Sequence, residues 1–140
     1  MPGIYQAIPI VLDTNVYLSA ILCGGNPAEY FALANRNMIK IYYSDFIETE
    51  LTTLLKRKFS WKPSELSRLV SWLASIATKI IVNSEFDVVK RKPSDNLILA
   101  CAYDAHAKYL ITGDKKDLLP LKNFKGIKIL SPIEGLAILA

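Results

Sequence analysis

The sequence is poor in the side chains that build many zinc and nucleophilic sites. It has one histidine, His106, and two cysteines, Cys23 and Cys101, in 140 residues. His106 lies among alanines in a predicted helix, which disfavours a zinc site and a histidine-dependent triad. Both cysteines lie in apolar stretches without a CxxC motif or a nearby histidine. They are therefore predicted to be buried free thiols.

Long hydrophobic runs and a charged leader are also missing. Hydrophobic residues make up 51% of the chain. Even so, Asp13 and Asp104 interrupt the longest apolar stretches well before the ~18 residues that a membrane span needs. No Lys or Arg precedes the first apolar segment, unlike in a secretory signal. We therefore expect a soluble cytoplasmic protein without a membrane partner. The net charge of +4 permits a polyanionic partner without requiring one.

Strand and helix patterns alternate along the chain. Short apolar runs predict five buried strands: Ile8–Leu12, Ile39–Tyr43, Lys79–Val82, Tyr109–Thr112 and Ile127–Leu130. Helical patterns lie between them: Val16–Leu22, Pro27–Asn35, Asp45–Lys56, Pro63–Thr78 and Asp95–Lys108. This alternation predicts a three-layer α/β/α sandwich around a parallel sheet, in one domain over residues 1–140. In such folds, ligands bind beyond the carboxyl ends of the strands.

Several acidic residues occupy positions that favour a site. Asp13 and Asp114 each follow a predicted strand. At ~100° per residue, Glu50 falls within the apolar half of its helix, where an unpartnered carboxylate would cost several kcal/mol. We therefore predict that Glu50 borders a polar cavity. Asp45 and Glu48 have the spacing of a capping box and need no such explanation.

The remaining acids are weaker candidates when each is taken singly. Asp95 precedes a helix that is apolar on every face, and by itself it would be a helix cap. Asp104 and Lys108 are predicted to form an ordinary ion pair four residues apart on that helix. Asp114 and Asp117 could each be a turn residue.

Four of these acids become stronger candidates for a site when they are considered together. Asp13, Glu50, Asp95 and Asp114 could converge if their strands and helices are neighbours. Two carboxylates ~4 Å apart repel by about 4 kcal/mol at an effective dielectric of ~20, so such a cluster needs a cation. A set of oxygen ligands selects Mg²⁺ or Mn²⁺ over zinc.

Four segments contain the candidate acids or close the chain: "VLDTNVYLSAIL", "SDFIETELTTLLKRKF", "KPSDNLILACAYDAHAKYLITGDKKDLL" and "ILSPIEGLAIL". In this order they resemble the PIN domain, a small metal-dependent ribonuclease fold that includes the VapC-type toxins. The resemblance implies catalytic carboxylates that bind one or two Mg²⁺ or Mn²⁺ ions at Asp13, Glu50, Asp95 and Asp114. It also implies that Asp117 is an outer metal ligand and that Asn15 and Thr112 support the site.

The same resemblance implies the topology and the partners. The sheet order would be 3-2-1-4-5, which makes the first and fourth strands neighbours. The activity would be cleavage of single-stranded RNA by the toxin of a toxin–antitoxin system, with a cognate antitoxin and a homodimer. One position departs from the pattern: the subgroup often has Asp before the proline of the third block, and this chain has Lys92 before Pro93. We interpret this as the loss of an auxiliary acid that leaves Asp95 intact.

Basic residues close to the acids in sequence favour a nucleic-acid path. They are Lys90, Arg91, Lys92, Lys115 and Lys116. The C-terminal segment "IEGLAILA" could serve assembly or close the domain's own core.

Three alternatives stay open. A catalytically weak or inactive PIN domain could bind RNA or a protein. A metal-dependent phosphatase could use Asp13 as nucleophile, although Asn15 stands where that chemistry usually places a second acid. A receiver-like phosphoacceptor domain would leave Glu50 unexplained.

Overall fold

The computed structural model describes residues 6–140, which form one six-stranded sheet flanked by six helices. The strands are β1 (Ile8–Leu12), β2 (Ile39–Tyr43), β3 (Thr78–Lys79), β4 (Tyr109–Ile111), β5 (Asn123–Phe124) and β6 (Ile127–Leu130). The helices are α1 (Thr14–Cys23), α2 (Gly25–Asn35), α3 (Asp45–Phe59), α4 (Pro63–Ile76), α5 (Asp95–Asp104) and α6 (Pro132–Leu139). None of these described helices is long and apolar enough to span a membrane.

The sheet order β3-β2-β1-β4-β6-β5 confirms the predicted arrangement of the parallel strands, with β6 in fifth place. β1 pairs in parallel with β2 on one side and with β4 on the other. The prediction of five strands missed β5, which pairs antiparallel with β6. β5 has two residues, too few to produce a strand pattern. Lys125 and Gly126, with φ of 50° and 87°, form its tight turn to β6.

The central strands are apolar because the helices cover both of their faces. Ile10, Val11 and Leu12 of β1 are fully buried, and every residue of β4 is buried. Strands of this kind appear in a sequence as continuous apolar runs, and the predicted bounds of β1 agree with the structure. The predicted bounds of β2 and β6 agree as well, although each of these strands has an exposed lysine, Lys40 or Lys128, between two buried isoleucines. Since β1 and β4 are parallel neighbours, the residues that follow them emerge at one edge of the sheet.

The start of α3 differs from the predicted capping box. Ser44 caps the helix, because its side chain accepts a hydrogen bond from the amide of Ile47 at 3.3 Å. Asp45 and Glu48 instead form ion pairs with Lys79, at 2.8 and 3.2 Å. These two acids therefore join α3 to β3.

The predicted ion pair between Asp104 and Lys108 is wrong, because α5 ends at Asp104. Lys108 lies beyond the helix, and its ammonium group stands over the ring of Tyr109. His106 also lies outside the helix, in a left-handed conformation with φ of 53°. The sequence pattern continued through alanines that could extend a helix, so it did not reveal this end.

Two further expectations need correction. Cys101 is buried as predicted, but Cys23 is exposed. Cys23 ends α1, where apolar neighbours in sequence do not determine which side chains face the core; Leu22 beside it is also exposed. The third strand spans Thr78–Lys79 instead of Lys79–Val82. After Lys79 the chain runs without helix or strand to the start of α5.

Asp104, the last residue of α5, holds this irregular segment by hydrogen bonds at Asn83 and Ser84. Its carboxylate accepts hydrogen bonds from the amides of Asn83 and Ser84 and from the hydroxyl of Ser84. The hydrogen bonds from Ser84, followed by that from Asn83, hold the pKa of Asp104 below its ordinary value.

We expect Asp104→Asn to lower the free energy of unfolding by about 1 kcal/mol near neutral pH, because the hydrogen bonds lose their ionic partner. A carboxylate with a lowered folded pKa stabilises the protein fully above the unfolded value of 3.8. That stabilisation is lost as the pH falls through the folded pKa. Urea denaturation at neutral and acidic pH measures both effects. An equal difference between Asp104→Asn and the parent at both pH values would contradict this role.

Candidate active site

Asp13 lies where β1 passes into α1 and caps that helix. It is 4% exposed, and its Oδ1 accepts a hydrogen bond from the amide of Thr14 at 2.7 Å. Its Oδ2 accepts from the hydroxyl of Thr112 at 2.7 Å and from the side-chain amide of Asn15 at 3.3 Å. The carboxylate is therefore held in one orientation from three directions.

Thr112 connects Asp13 to the loop after β4. The Thr112 hydroxyl donates to Asp13 and accepts from the backbone amide of Asp114 at 3.0 Å. Asn15 adds a second link, because its Oδ1 accepts from the amide of Gly113 at 3.2 Å. The parallel pairing of β1 and β4 brings these residues together across about a hundred positions of sequence. Both predicted supporting residues thus lie between the two strand-ending acids.

Asp95 occupies the first turn of α5 and is 2% exposed. Its Oδ1 lies 3.6 Å from the ammonium nitrogen of Lys92, whereas its Oδ2 is buried without a hydrogen-bond donor. The amide of Asp95 donates to the carbonyl of Lys92 at 3.0 Å. The basic loop and the start of α5 therefore form one local unit.

The sequence analysis did not identify Asn96, whose side chain holds the loop of residues 88–93 by hydrogen bonds to its backbone. Its Oδ1 accepts from the amides of Val88 and Val89 at 2.8 and 2.9 Å, and its Nδ2 donates to the carbonyls of Val89 and Pro93. An amide side chain in an otherwise apolar helix was the available signal, since a buried amide needs partners.

Asp114 and Asp117 lie in one turn after β4. The Asp114 Oδ1 accepts from the amides of Lys116 and Asp117, both at 3.0 Å, while its Oδ2 is buried without a donor. Asp117 accepts two hydrogen bonds from the guanidinium of Arg91, at 3.1 and 2.8 Å. Asp95, Asp114 and Asp117 each present a carboxylate oxygen, and these three atoms lie within 4.8 Å of one another.

Asp13 and Glu50 are outside this tight group of three among the described residues. Asp13 interacts electrostatically with Asp95, and Glu50 interacts electrostatically with Asp13 and Lys92. Glu50 is half-buried on α3, at the border of the face formed by Ile47 and Leu51. The Glu50 carboxylate contributes to raising the pKa of Asp13, although burial is the main cause. The structure thus places Glu50 near the predicted set.

The predicted basic residues fall into two kinds. Lys90, Arg91 and Lys92 form ion pairs with Asp87, Asp117 and Asp95, respectively. Lys115 and Lys116 are exposed in the turn that carries Asp114 and Asp117. All five lie on the two loops that carry or adjoin the acids.

The sequence profile of the PIN domain family matches residues 9–116. The chain belongs to the PIN domain family. The uncharacterized protein MJ1680 of Methanocaldococcus jannaschii is 31% identical over 121 residues, which cover 83% of this chain and 76% of that protein.

Solved structures agree with this PIN domain in fold. VapBC2 from Rickettsia felis, bound to a DNA fragment from its promoter, includes a chain that matches with a TM-score of 0.64 at 20% identity. DNA-bound VapBC from Salmonella typhimurium gives a TM-score of 0.61 at 16% identity. Each match covers 89% of this chain and 98% of the other. At these identities the likeness is one of fold.

Burial and mutual repulsion set the charges in the acid cluster of the PIN domain. Burial, followed by the neighbouring Asp114, raises the pKa of Asp95 to about 7. Partial burial opposes a lowered pKa at Asp114, but the neighbouring carboxyl group of Asp95 and hydrogen bonds from the amides of Asp117 and Lys116 hold this pKa below its ordinary value. The pair therefore needs a proton or a cation between its members.

The residues of this PIN domain fit a hard divalent cation. Every candidate donor in the cluster is an oxygen, which suits Mg²⁺ or Mn²⁺. The buried Oδ2 atoms of Asp95 and Asp114 have no donor, and a buried carboxylate oxygen without a partner is costly. A cation bound by these two atoms would remove that cost.

Proposed function

We propose that this PIN domain is a metal-dependent ribonuclease that hydrolyses phosphodiester bonds of single-stranded RNA. The observation that carries the proposal is the pair of buried, unpartnered oxygens on Asp95 and Asp114 within an acid cluster at the carboxyl ends of the strands. Asp13, Glu50, Asp95 and Asp114 would hold one or two Mg²⁺ or Mn²⁺ ions, with Asp117 as an outer member. When bound there, the metal would supply an activated water and stabilisation of negative charge on the phosphate.

The chain's own residues would orient this site and its substrate. Thr112 and Asn15 hold the Asp13 carboxylate, and the turn after β4 holds Asp114. Cations attract the RNA backbone because it carries one negative charge per phosphate. Lys115 and Lys116 are exposed for that contact. Lys90, Arg91 and Lys92 would extend the same path along the neighbouring loop.

We further propose that the protein is the toxin of a toxin–antitoxin system in the cytoplasm, with residues 1–140 as its single domain. The two VapBC structures that share its fold support a protein partner. A groove of about 370 Å³ would offer an antitoxin a surface of mixed apolar and charged character, lined by Ile21, Trp61, Glu65, Arg68, Leu69 and Trp72. α6 buries Gly135 and Leu139 but exposes Ile133 and Ile138, which would suit a homodimer.

Incubation of the purified protein with single-stranded RNA and Mn²⁺ tests the activity. We expect cleavage that a chelator stops and that added Mn²⁺ restores. Asp13→Asn should abolish cleavage, and small phosphoesters should release no phosphate. RNA cleavage by Asp13→Asn at the parent rate would refute the assignment.

Two rival functions remain testable in the same assay. A PIN domain that binds RNA or protein without cutting is favoured by one observation: Lys92 and Arg91 already pair with two acids of the cluster. That function predicts RNA binding without cleavage at any Mn²⁺ concentration. Phosphate release from small phosphoesters would instead favour the weaker alternative, a metal-dependent phosphatase.

A further inference from the structure

Lys92 places a positive charge beside Asp95, at the edge of the acid cluster. Its ammonium nitrogen is 3.6 Å from Asp95 Oδ1, and its side chain is 52% exposed whereas that of Asp95 is 3% exposed. The backbone of Lys92 is fixed, because its carbonyl accepts from the amide of Asp95 and the next residue's carbonyl accepts from Asn96. The lysine therefore approaches the acids from a defined position on the loop.

The Lys92 ammonium interacts with all four predicted acids. It pairs with Asp95, and the carboxylates of Asp13, Asp114 and Glu50 also attract it electrostatically. Four carboxylates carry four negative charges, of which a divalent ion balances two and Lys92 a third. A second divalent ion would have to enter a site that already contains this ammonium group, and like charges in a partly buried site repel.

Few buried oxygens of the acid cluster lack a hydrogen-bond partner. Arg91 engages both oxygens of Asp117. Thr14, Asn15 and Thr112 donate to Asp13. Among the described residues, the acid-cluster oxygens that are buried without a partner are Asp95 Oδ2 and Asp114 Oδ2. Two such atoms suit one shared ion.

We propose that the Lys92 ammonium takes the place of a second metal ion, so that the cluster binds one divalent ion per chain. This inference rests on the proposed function, because it concerns the same acids. Lys92 acts here through the charge it adds beside the ion, as a residue that determines metal stoichiometry.

Calorimetric titration of the metal-free protein with Mn²⁺ tests this role without reference to activity. We expect the parent to bind one ion and Lys92→Asp to bind two. Lys92→Met should bind its first ion about tenfold more tightly, since a neighbouring positive charge has been removed. Lys90→Met is the matched control, because Lys90 lies two residues earlier and pairs with Asp87. It should bind as the parent does.

Two outcomes would overturn the role of Lys92 alone. In the first, the parent binds two Mn²⁺ ions. In the second, Lys92→Met and Lys90→Met bind Mn²⁺ with equal affinity. In both cases the proteins still cleave RNA. Melting curves check that each variant folds, and a substitution of this half-exposed lysine should leave the transition in place. Absence of Mn²⁺ binding by the parent and by every variant would overturn the proposed function together with this inference.

Discussion

Asp95→Asn is expected to lower the rate of RNA cleavage by about a thousandfold, equivalent to about 4 kcal/mol of transition-state stabilisation. The substitution removes the charge of an acid that is 2% exposed and that presents an unpartnered oxygen to the cluster. The same change should raise the melting temperature of the metal-free protein by about 3 °C, because it relieves repulsion among buried carboxylates. This rise corresponds to a gain of about 1 kcal/mol in the free energy of unfolding. The introduced amide can also donate to Asp114.

The gain in stability should depend on pH in a defined direction. The folded pKa of Asp95 is raised from 3.8 to about 7. A carboxyl group with a raised folded pKa stabilises the protein fully below its unfolded pKa, and this contribution is lost as the pH rises through the folded value. Asp95→Asn should therefore be more stable than the parent above pH 7, and the difference should vanish below pH 3.8.

Asp87→Asn is the matched control, because Asp87 is exposed and pairs with Lys90 outside the cluster. It should cleave RNA at the parent rate and melt at the parent temperature. Melting curves of the metal-free proteins over this pH range, with single-turnover cleavage rates, measure both effects. If Asp95→Asn were less stable than the parent at every pH, the account of mutual repulsion would be wrong.

Thr112→Val should reduce cleavage by about 10- to 100-fold and lower the free energy of unfolding by about 1–3 kcal/mol. Valine fills a similar volume but lacks the hydroxyl that donates to Asp13 and accepts from the amide of Asp114. Thr112 is fully buried, so water does not readily replace these hydrogen bonds.

Thr112→Ser retains the hydroxyl and is the matched variant, so it should keep most of the activity. The pH dependence of cleavage separates positioning from general loss of stability. Burial raises the pKa of Asp13, and the hydrogen bond from Thr112 opposes that rise. Thr112→Val should therefore shift the acidic limb of the rate profile to higher pH, whereas Thr112→Ser should leave it in place. Equal profiles in the two variants would argue against a role for this hydrogen bond.

The parts of the fold that were predictable from sequence are those with strong periodic patterns. The bounds of β1 follow from a continuous apolar run, and those of β2 and β6 follow from buried isoleucines on either side of an exposed lysine. The ends of β3 and α5 were not predictable in this way, since tertiary contacts decide them. Asp104 binds a segment about twenty residues earlier in the chain, which no local pattern indicates.

The candidate site shows the same division. Asp13 and Asp114 were predictable because residues that follow parallel strands meet at one edge of the sheet. The ion pairs around these two acids were not predictable from the sequence. Arg91 binds Asp117 across 26 positions, and Lys92 contacts an acid that the sequence assigned to a metal. Such pairings depend on loop conformation, which spacing alone does not specify.

The proposed function requires acids from four separate segments to share one divalent ion. Anomalous diffraction from a crystal soaked in Mn²⁺ tests this requirement. We expect a manganese peak beside Asp95 Oδ2 and Asp114 Oδ2, with the carboxylates of Asp13 and Glu50 facing the same ion. A crystal with no manganese at this cluster, in which the carboxylates point away from one another, would refute the shared metal site.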